Sequence, residues 1–175
     1  MLKDLDIILS IRKDPDKGFR LLVQRYAEAL YWHIRRLVVS HADTEDAVQE
    51  TFVRIYKSFG KYEGGSLAAW IYRIATNEAL RIRSRRKDAS LDDDFDGQFD
   101  AMADEYVDYS DLEAVKLQKA ILSLPTRQQL AFTLRYYDDL SYGEIARITD
   151  STPDNVKANY HFAKEKIVKY MKSND

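Results

Sequence analysis

The chain has 175 residues, 45% of them hydrophobic, and a formal net charge of −2. It contains no cysteine, which excludes disulfides, thiolate catalysis and Cys-ligated zinc together. The small net charge conceals three blocks: residues 1–87 hold 17 Lys/Arg against 11 Asp/Glu, residues 88–111 hold ten acids and no base, and residues 112–175 hold 10 against 8.

Two cationic blocks around an acidic spacer point to an anionic partner, with nucleic acid the first candidate. The amino-terminal MLKDLDIILSIRKD alternates charge with apolar residues and does not read as a signal peptide. No stretch approaches the ~20 apolar residues of a membrane-spanning helix. The expectation is a soluble cytoplasmic protein with no stable membrane insertion.

Few Gly and Pro, with little β-branched alternation, predict an all-α chain. A helix is predicted from Phe19 to about Val39, with Leu22, Tyr26, Leu30 and Ile34 at helical spacing. Asp43 reads as the N-cap of a second helix to about Phe59, whose apolar face is Val48, Phe52, Ile55 and Phe59. Asp46, Gln49, Glu50, Arg54 and Lys57 lie off that face. The Gly-containing stretch 60–65 breaks the pattern, and Ser66 caps a helix to about Arg86 with Leu67, Ile71 and Ile74 inward. Arg81, Arg85 and Arg86 gather at its carboxyl end, where cations also suit the helix dipole. The spacer 88–111 carries too much charge to bury a core and reads as a flexible acidic linker. Helix resumes from Leu112 to Leu124, and Pro125 opens the next, which carries Leu130, Leu134 and Tyr137. Ser141 to Glu144 is a capping box for a short helix to about Thr149. A turn over 150–152 then leads to Pro153, at the first position of a final helix to about Met171.

From Ser141 to Lys166 this makes a helix-turn-helix pattern. Ile145, Ala146, Ile148 and Val156 supply the apolar and small residues that two crossing helices need. Asp154, Asn155, Lys157, Asn159 and His161 fall near the start of the second helix, where a recognition helix meets base edges, and Lys164 extends the set. Lys157 suits phosphate or guanine, and the asparagines suit adenine or phosphate. Bundles that bind nothing also contain short capped helices, so the pattern alone leaves a structural role open.

The stretch LPTRQQLAFTLRYYDDLSYGEIARITDSTPDNVKANYHFAKEKI resembles the promoter −35-binding domain of extracytoplasmic-function sigma factors. The stretch DTEDAVQETFVRIYKSFGKYEGGSLAAWIYRIATNEALRIRSRRK resembles their −10-binding domain, and the two occur in the family's order. The resemblance implies an RNA polymerase sigma factor with no cofactor and no chemistry of its own. Its two small helical DNA-binding domains, an N-terminal bundle at 1–87 and a C-terminal helix-turn-helix at 112–175, would be joined by the linker at 88–111. The implied partners are core RNA polymerase, through its β′ clamp helices and β flap, promoter DNA, and an anti-sigma factor. By the same resemblance Asp46, Gln49 and Glu50 dock on the β′ clamp helices. Lys61, Tyr62, Asn77, Arg81, Arg83, Arg85 and Arg86 handle the −10 element, where a captured base needs a pocket and the strand backbone needs cations.

Four positions depart from the family's pattern. Arg81 replaces a usual acid, Asp150 replaces the usual turn glycine, and the recognition helix lacks the family's common arginines, having Asn159 and Phe162 instead. Aspartate tolerates a left-handed backbone better than most residues, so the turn is expected to survive. Trp32, Trp70 and Phe52 read as core residues rather than strand-separating wedges. His33, His41 and His161 have no second histidine one turn away, so no metal site is expected. Glu45, Asp46 and Glu50 lack a nucleophile or histidine at useful spacing, which leaves no catalytic set. The linker acids could also contact the chain's own basic faces and lower nonspecific DNA binding. The rival reading is a helix-turn-helix regulator that acts without being a polymerase subunit.

Overall fold

A computed structural model describes residues 2–89 and 111–173, with the backbone alone at 87–89. Among these residues every regular element is helical. The N-terminal half holds α1 (Asp4–Lys13), α2 (Pro15–Val38), α3 (His41–Ser58) and α4 (Leu67–Ala89), with a single 3-10 turn over Phe59–Lys61. The C-terminal half holds α5 (Leu112–Leu122), α6 (Thr126–Tyr136), α7 (Tyr142–Thr149) and α8 (Pro153–Ser173). The acidic linker lies outside the described residues except at its ends, where Asp88 and Ala89 close α4 and the Asp111 side chain caps α5.

Helix α1 was not expected. Its start is closed by the Lys3 N–H donating to Asp6 Oδ2 at 3.3 Å, and its Ile7 and Ile11 are buried against α2. Tyr26 and Arg25 of α2 both reach back to Asp4 Oδ1, at 2.6 and 2.9 Å. The approach depends on Gly18, where an added Cβ would come within 2.3 Å of Ile11. Helix α2 also begins earlier than expected, with Pro15 in its first turn and the Asp14 carboxylate accepting from the Lys17 N–H.

Helix α3 is capped by Ser40 rather than Asp43, whose own N–H donates to the Ser40 hydroxyl at 3.3 Å. Its buried stripe is Thr44, Ala47, Thr51 and Ile55, rotated from the expected apolar face. The two threonines tolerate burial because each hydroxyl donates back to the preceding turn, to Ser40 O at 2.7 Å and Ala47 O at 2.6 Å. Val48, Phe52 and Phe59 flank this stripe and are partly buried. The small stripe lets α3 sit close to α2 and α4.

Helix α4 packs against α2 and α3 and also against α7. One buried cluster therefore runs from Ile7 to Val156 and takes residues from both halves. A second cluster, built on Ala120, Ile121, Leu124, Phe132, Ala163 and Ile167, joins α5, α6 and α8. Trp70 is partly buried against the shared cluster. Trp32 is 38% exposed, because the α2 stripe of Leu30, His33, Ile34 and Leu37 leaves position 32 off the core face. No helix among the described residues is long and apolar enough to cross a membrane.

Candidate nucleic-acid interface

The helix-turn-helix forms as its sequence dictates. Ser141 Oγ accepts from the Glu144 N–H at 3.1 Å while Glu144 Oε1 accepts from the Ser141 N–H at 3.1 Å. Burial pushes the Glu144 carboxyl up, but hydrogen bonds from Ser66 and Ser141 outweigh it and hold the group below its usual value. Asp150 ends α7 in the left-handed region at φ 51° and ψ 52°. Thr152 Oγ1 then accepts from the Asn155 N–H at 3.2 Å and starts α8. Ile145, Ala146, Ile148 and Val156 are all buried, as their spacing required.

Burying Val156 turns Asp154, Asn155 and Lys157 outward, and the structure brings these three together on one exposed end of α8. Asn159 is half-buried. His161 is exposed and lies 3.2 Å from Glu165, while Lys164 reaches over the Tyr160 ring at 5.4 Å. Phe162 is exposed as well.

The N-terminal candidates divide into three groups. Tyr62 packs with Phe59 and Trp70, ring centroids 5.7 and 5.6 Å away, and its hydroxyl donates to Gly65 O at 2.6 Å. This aromatic cluster sits on the loop before α4, with Lys61 exposed beside it. Asn77 and Arg85 are exposed on α4. Arg81, Arg83 and Arg86 are each held by protein groups. Arg81 lies 2.7 Å from Glu78, Arg86 pairs with Asp43, and Arg83 donates to Gln129 Oε1 at 3.0 Å and Thr126 Oγ1 at 2.7 Å. Burial lowers the Arg83 pKa, consistent with a guanidinium spent on the C-terminal half.

Asp46 and Gln49 are exposed on α3, and Glu50 is half-exposed with Arg54 at 3.2 Å. A shallow concavity between α3 and α4 is lined by Asp43, Asp46 and Glu50 on one side and by Arg81, Ile82, Arg85 and Arg86 on the other. Candidate docking acids and candidate DNA cations thus face each other across a single groove. Among the described residues no group of His, Asp or Glu is placed to hold a metal ion.

The family model for sigma-70 region 2 matches residues 22–89, and that for sigma-70 region 4 matches residues 114–167. The ECF RNA polymerase sigma-E factor of Salmonella typhimurium is 33% identical over 178 residues, covering 95% of this chain and 93% of that protein. The chain belongs to the extracytoplasmic-function sigma factors of the sigma-70 family. The Bacillus subtilis ECF sigma factor SigW is 28% identical, covering 94% of this sigma factor and 95% of its relative. The same fold occurs in CnrH, solved with the cytosolic domain of CnrY, at a TM-score of 0.76 and 18% identity over 97% of both chains. It occurs again in RpoE of Bartonella quintana, solved with the anti-sigma factor NepR, at a TM-score of 0.70 and 23% identity over 91% of this chain and 99% of that one.

Sequence reasoning missed two features of this sigma factor's site. Glu78 is buried on α4 and takes both Arg54, at 2.6 Å, and Arg81. Its position three residues before Arg81 was a usable signal, whereas the reach from Arg54 was not. Tyr72 and Asp138 also escaped notice. Their hydrogen bond at 2.7 Å spans 66 residues of sequence, which no local pattern reports.

Proposed function

We propose that this sigma factor recruits core RNA polymerase to a subset of promoters, reading the −35 element with α8 and assisting melting at the −10 element with α4 and its preceding loop. The observation that carries the reading is the exposed group Asp154, Asn155 and Lys157 at the start of α8, immediately after a capped α7 and a tight turn. Residues 1–87 and 112–175 act as the two promoter-binding units, with 88–111 between them. Asp46, Gln49 and Glu50 meet the β′ clamp helices, and the C-terminal unit meets the β flap. The polymerase supplies the polymerisation chemistry, so the sigma factor is not itself an enzyme and works in the cytoplasm. An anti-sigma factor is the expected regulator, supported by the fold shared with RpoE, which was solved with NepR.

The test is initiation by sigma-free core polymerase on genomic fragments, with the RNA ends sequenced. Promoter-specific transcripts and paired footprints upstream of each start support the reading. A footprint by the chain alone, with no transcript from any fragment, would return the protein to the class of polymerase-independent helix-turn-helix regulators.

A further inference from the structure

The outer side of α8 carries apolar surface that the core does not use. Phe162 is 49% exposed and belongs to neither buried cluster among the described residues. Its ring meets the neighbouring His161 ring, with centroids 5.9 Å apart. Ala158, one turn earlier, is exposed as well. Val156, Ala163 and Ile167 fix which side of the helix faces inward. At about 100° per residue, Ala158 and Phe162 lie roughly 200° and 240° round the axis from Val156, on the far side. Exposed lysines stand on both flanks of this strip, Lys157 and Lys164 at about 100° and 80° and Lys166 at about 280°. Acids close its two ends: Asp154 at the start of α8, and Glu165, whose Oε1 lies 3.2 Å from His161 Nε2.

We propose that Ala158 and Phe162 read thymine methyl groups in the major groove of the −35 element, and that Phe162 sets a thymine preference there. This deepens the promoter reading above, on which it rests. A helix lying in the major groove meets base edges along its outer line and phosphates along both flanks. Cations on both flanks and an apolar centre complement a groove with anionic walls and methyl groups on its floor.

Thymine alone among the bases presents an apolar group in that groove. Against a phenyl ring the N7 and O6 of guanine, the N7 and N6 amine of adenine and the N4 amine of cytosine lose water without gaining a partner. Phe162 therefore selects by exclusion as well as by contact. An arginine at this position would do the opposite, since its fork pairs with guanine. Four residues of helix rise about 6 Å, between one and two base steps of roughly 3.4 Å, so the two side chains reach neighbouring pairs. Ala158, with only a methyl, sets how closely the helix backbone approaches, and the longer Phe162 carries most of the discrimination.

Selection from a random duplex library, by the full chain alone and by the chain with core polymerase, supplies the bound sequence. Each thymine in it is then replaced by deoxyuridine, which removes the methyl and leaves base pairing intact. The unmodified chain is expected to lose about fourfold in affinity at one or two of these positions, the worth of one buried methyl. Phe162→Ala should bind the thymine and uracil duplexes alike at one of them. Phe162→Leu should keep part of the difference, and Phe162→Arg should move the selected base toward guanine. The side chain is exposed, so all three variants should keep the parent's helicity and melting temperature. Equal binding of thymine and uracil duplexes by the unmodified chain, or an unchanged difference in Phe162→Ala, overturns the proposal. Loss of core-polymerase binding in Phe162→Ala with thymine discrimination intact assigns the strip to the polymerase and overturns it too. Failure to select any duplex in either format removes the promoter reading itself and this proposal with it, a result separate from the others.

Discussion

Arg54 of α3 places Nε 2.6 Å from Oε1 of Glu78 on α4, and Arg81 holds the other oxygen of that carboxylate at 2.7 Å. The acid is buried, while both guanidiniums are substantially exposed. Breaking a fully buried pair costs about 3–5 kcal/mol, but water can solvate both released arginines here, so Glu78→Gln is expected to cost about 1–2 kcal/mol. A urea titration measures it as a lower midpoint at constant slope. The same substitution releases Arg81 toward solvent and should raise affinity for random duplex at low salt. An unmoved midpoint would mean that the carboxylate does not clamp α3 to α4.

His33 gives the fold an acid-sensitive point. It is fully buried, its Nε2 lies 2.8 Å from Thr76 Oγ1, and Tyr72 and Arg36 stand beside it. Burial first, and then the Arg36 charge, lowers its pKa from 6.5 to about 3. Unfolded, the imidazole takes a proton near pH 6.5; folded, it stays neutral down to about 3, so the unfolded chain binds more protons in that window. Stability is therefore present above pH 6.5 and falls as pH drops through the window, with a slope approaching about 1.4 kcal/mol per pH unit. His33→Gln should flatten that part of the profile. Thermal melts of both proteins at pH 7 and pH 5 make the comparison, and parallel losses would assign the acid sensitivity to other groups.

Much of this fold is legible locally. Ser141, Glu144, Pro153 and the Ile145/Ile148/Val156 spacing specify the helix-turn-helix without reference to anything distant. Asp46, Gln49 and Lys157 read correctly as exposed because each lies off an apolar stripe. What stayed hidden depends on packing between distant segments. The α3 stripe is rotated because threonines that satisfy their own hydroxyls can be buried as well as valine or phenylalanine. Arg83 reads as a free cation until Thr126 and Gln129, more than 40 residues away, are placed against it. The second buried side of α4 exists only because α7 covers it.

Gly18 illustrates the same limit at α1. Nothing in the sequence around it requires a glycine, yet Ile11 leaves no room for a Cβ. Gly18→Ala would raise helix propensity in isolation, but here it should lower stability by about 1–3 kcal/mol through overpacking. Hydrogen exchange locates the damage: amides of α1 should lose protection before those of α6. Equal protection in α1 would show that the helix yields without cost.

The proposed docking acids allow a test that leaves folding untouched. Asp46 is exposed, Glu50 pairs with Arg54 at the surface, and such pairs contribute little to stability. Asp46→Lys with Glu50→Lys should therefore keep helicity and melting temperature close to those of the parent. Polymerase binding should weaken at least tenfold, because two contacts reverse sign at an interface. Reversing Glu45 and Glu28, which lie around a neighbouring groove on the α2 side, is the control for charge alone. A loss of equal size in the control would move the docking surface toward α2.

Lys157 separates two kinds of DNA contact. It projects from the exposed start of α8, next to buried Val156, where a side chain can reach either a base edge or a phosphate. A phosphate contact predicts that Lys157→Ala weakens binding uniformly across sequences and lowers the salt slope by about 1. A base contact predicts a loss of about 1–3 kcal/mol on the cognate −35 element alone, with relaxed preference at one position. The phosphate outcome is favoured, because a single ammonium is a point charge that lacks the planar fork of arginine. Binding measured on matched and scrambled −35 duplexes at two salt concentrations decides between them. No change on either duplex would remove Lys157 from the interface and leave Asn155 and Asn159 as the residues to test next.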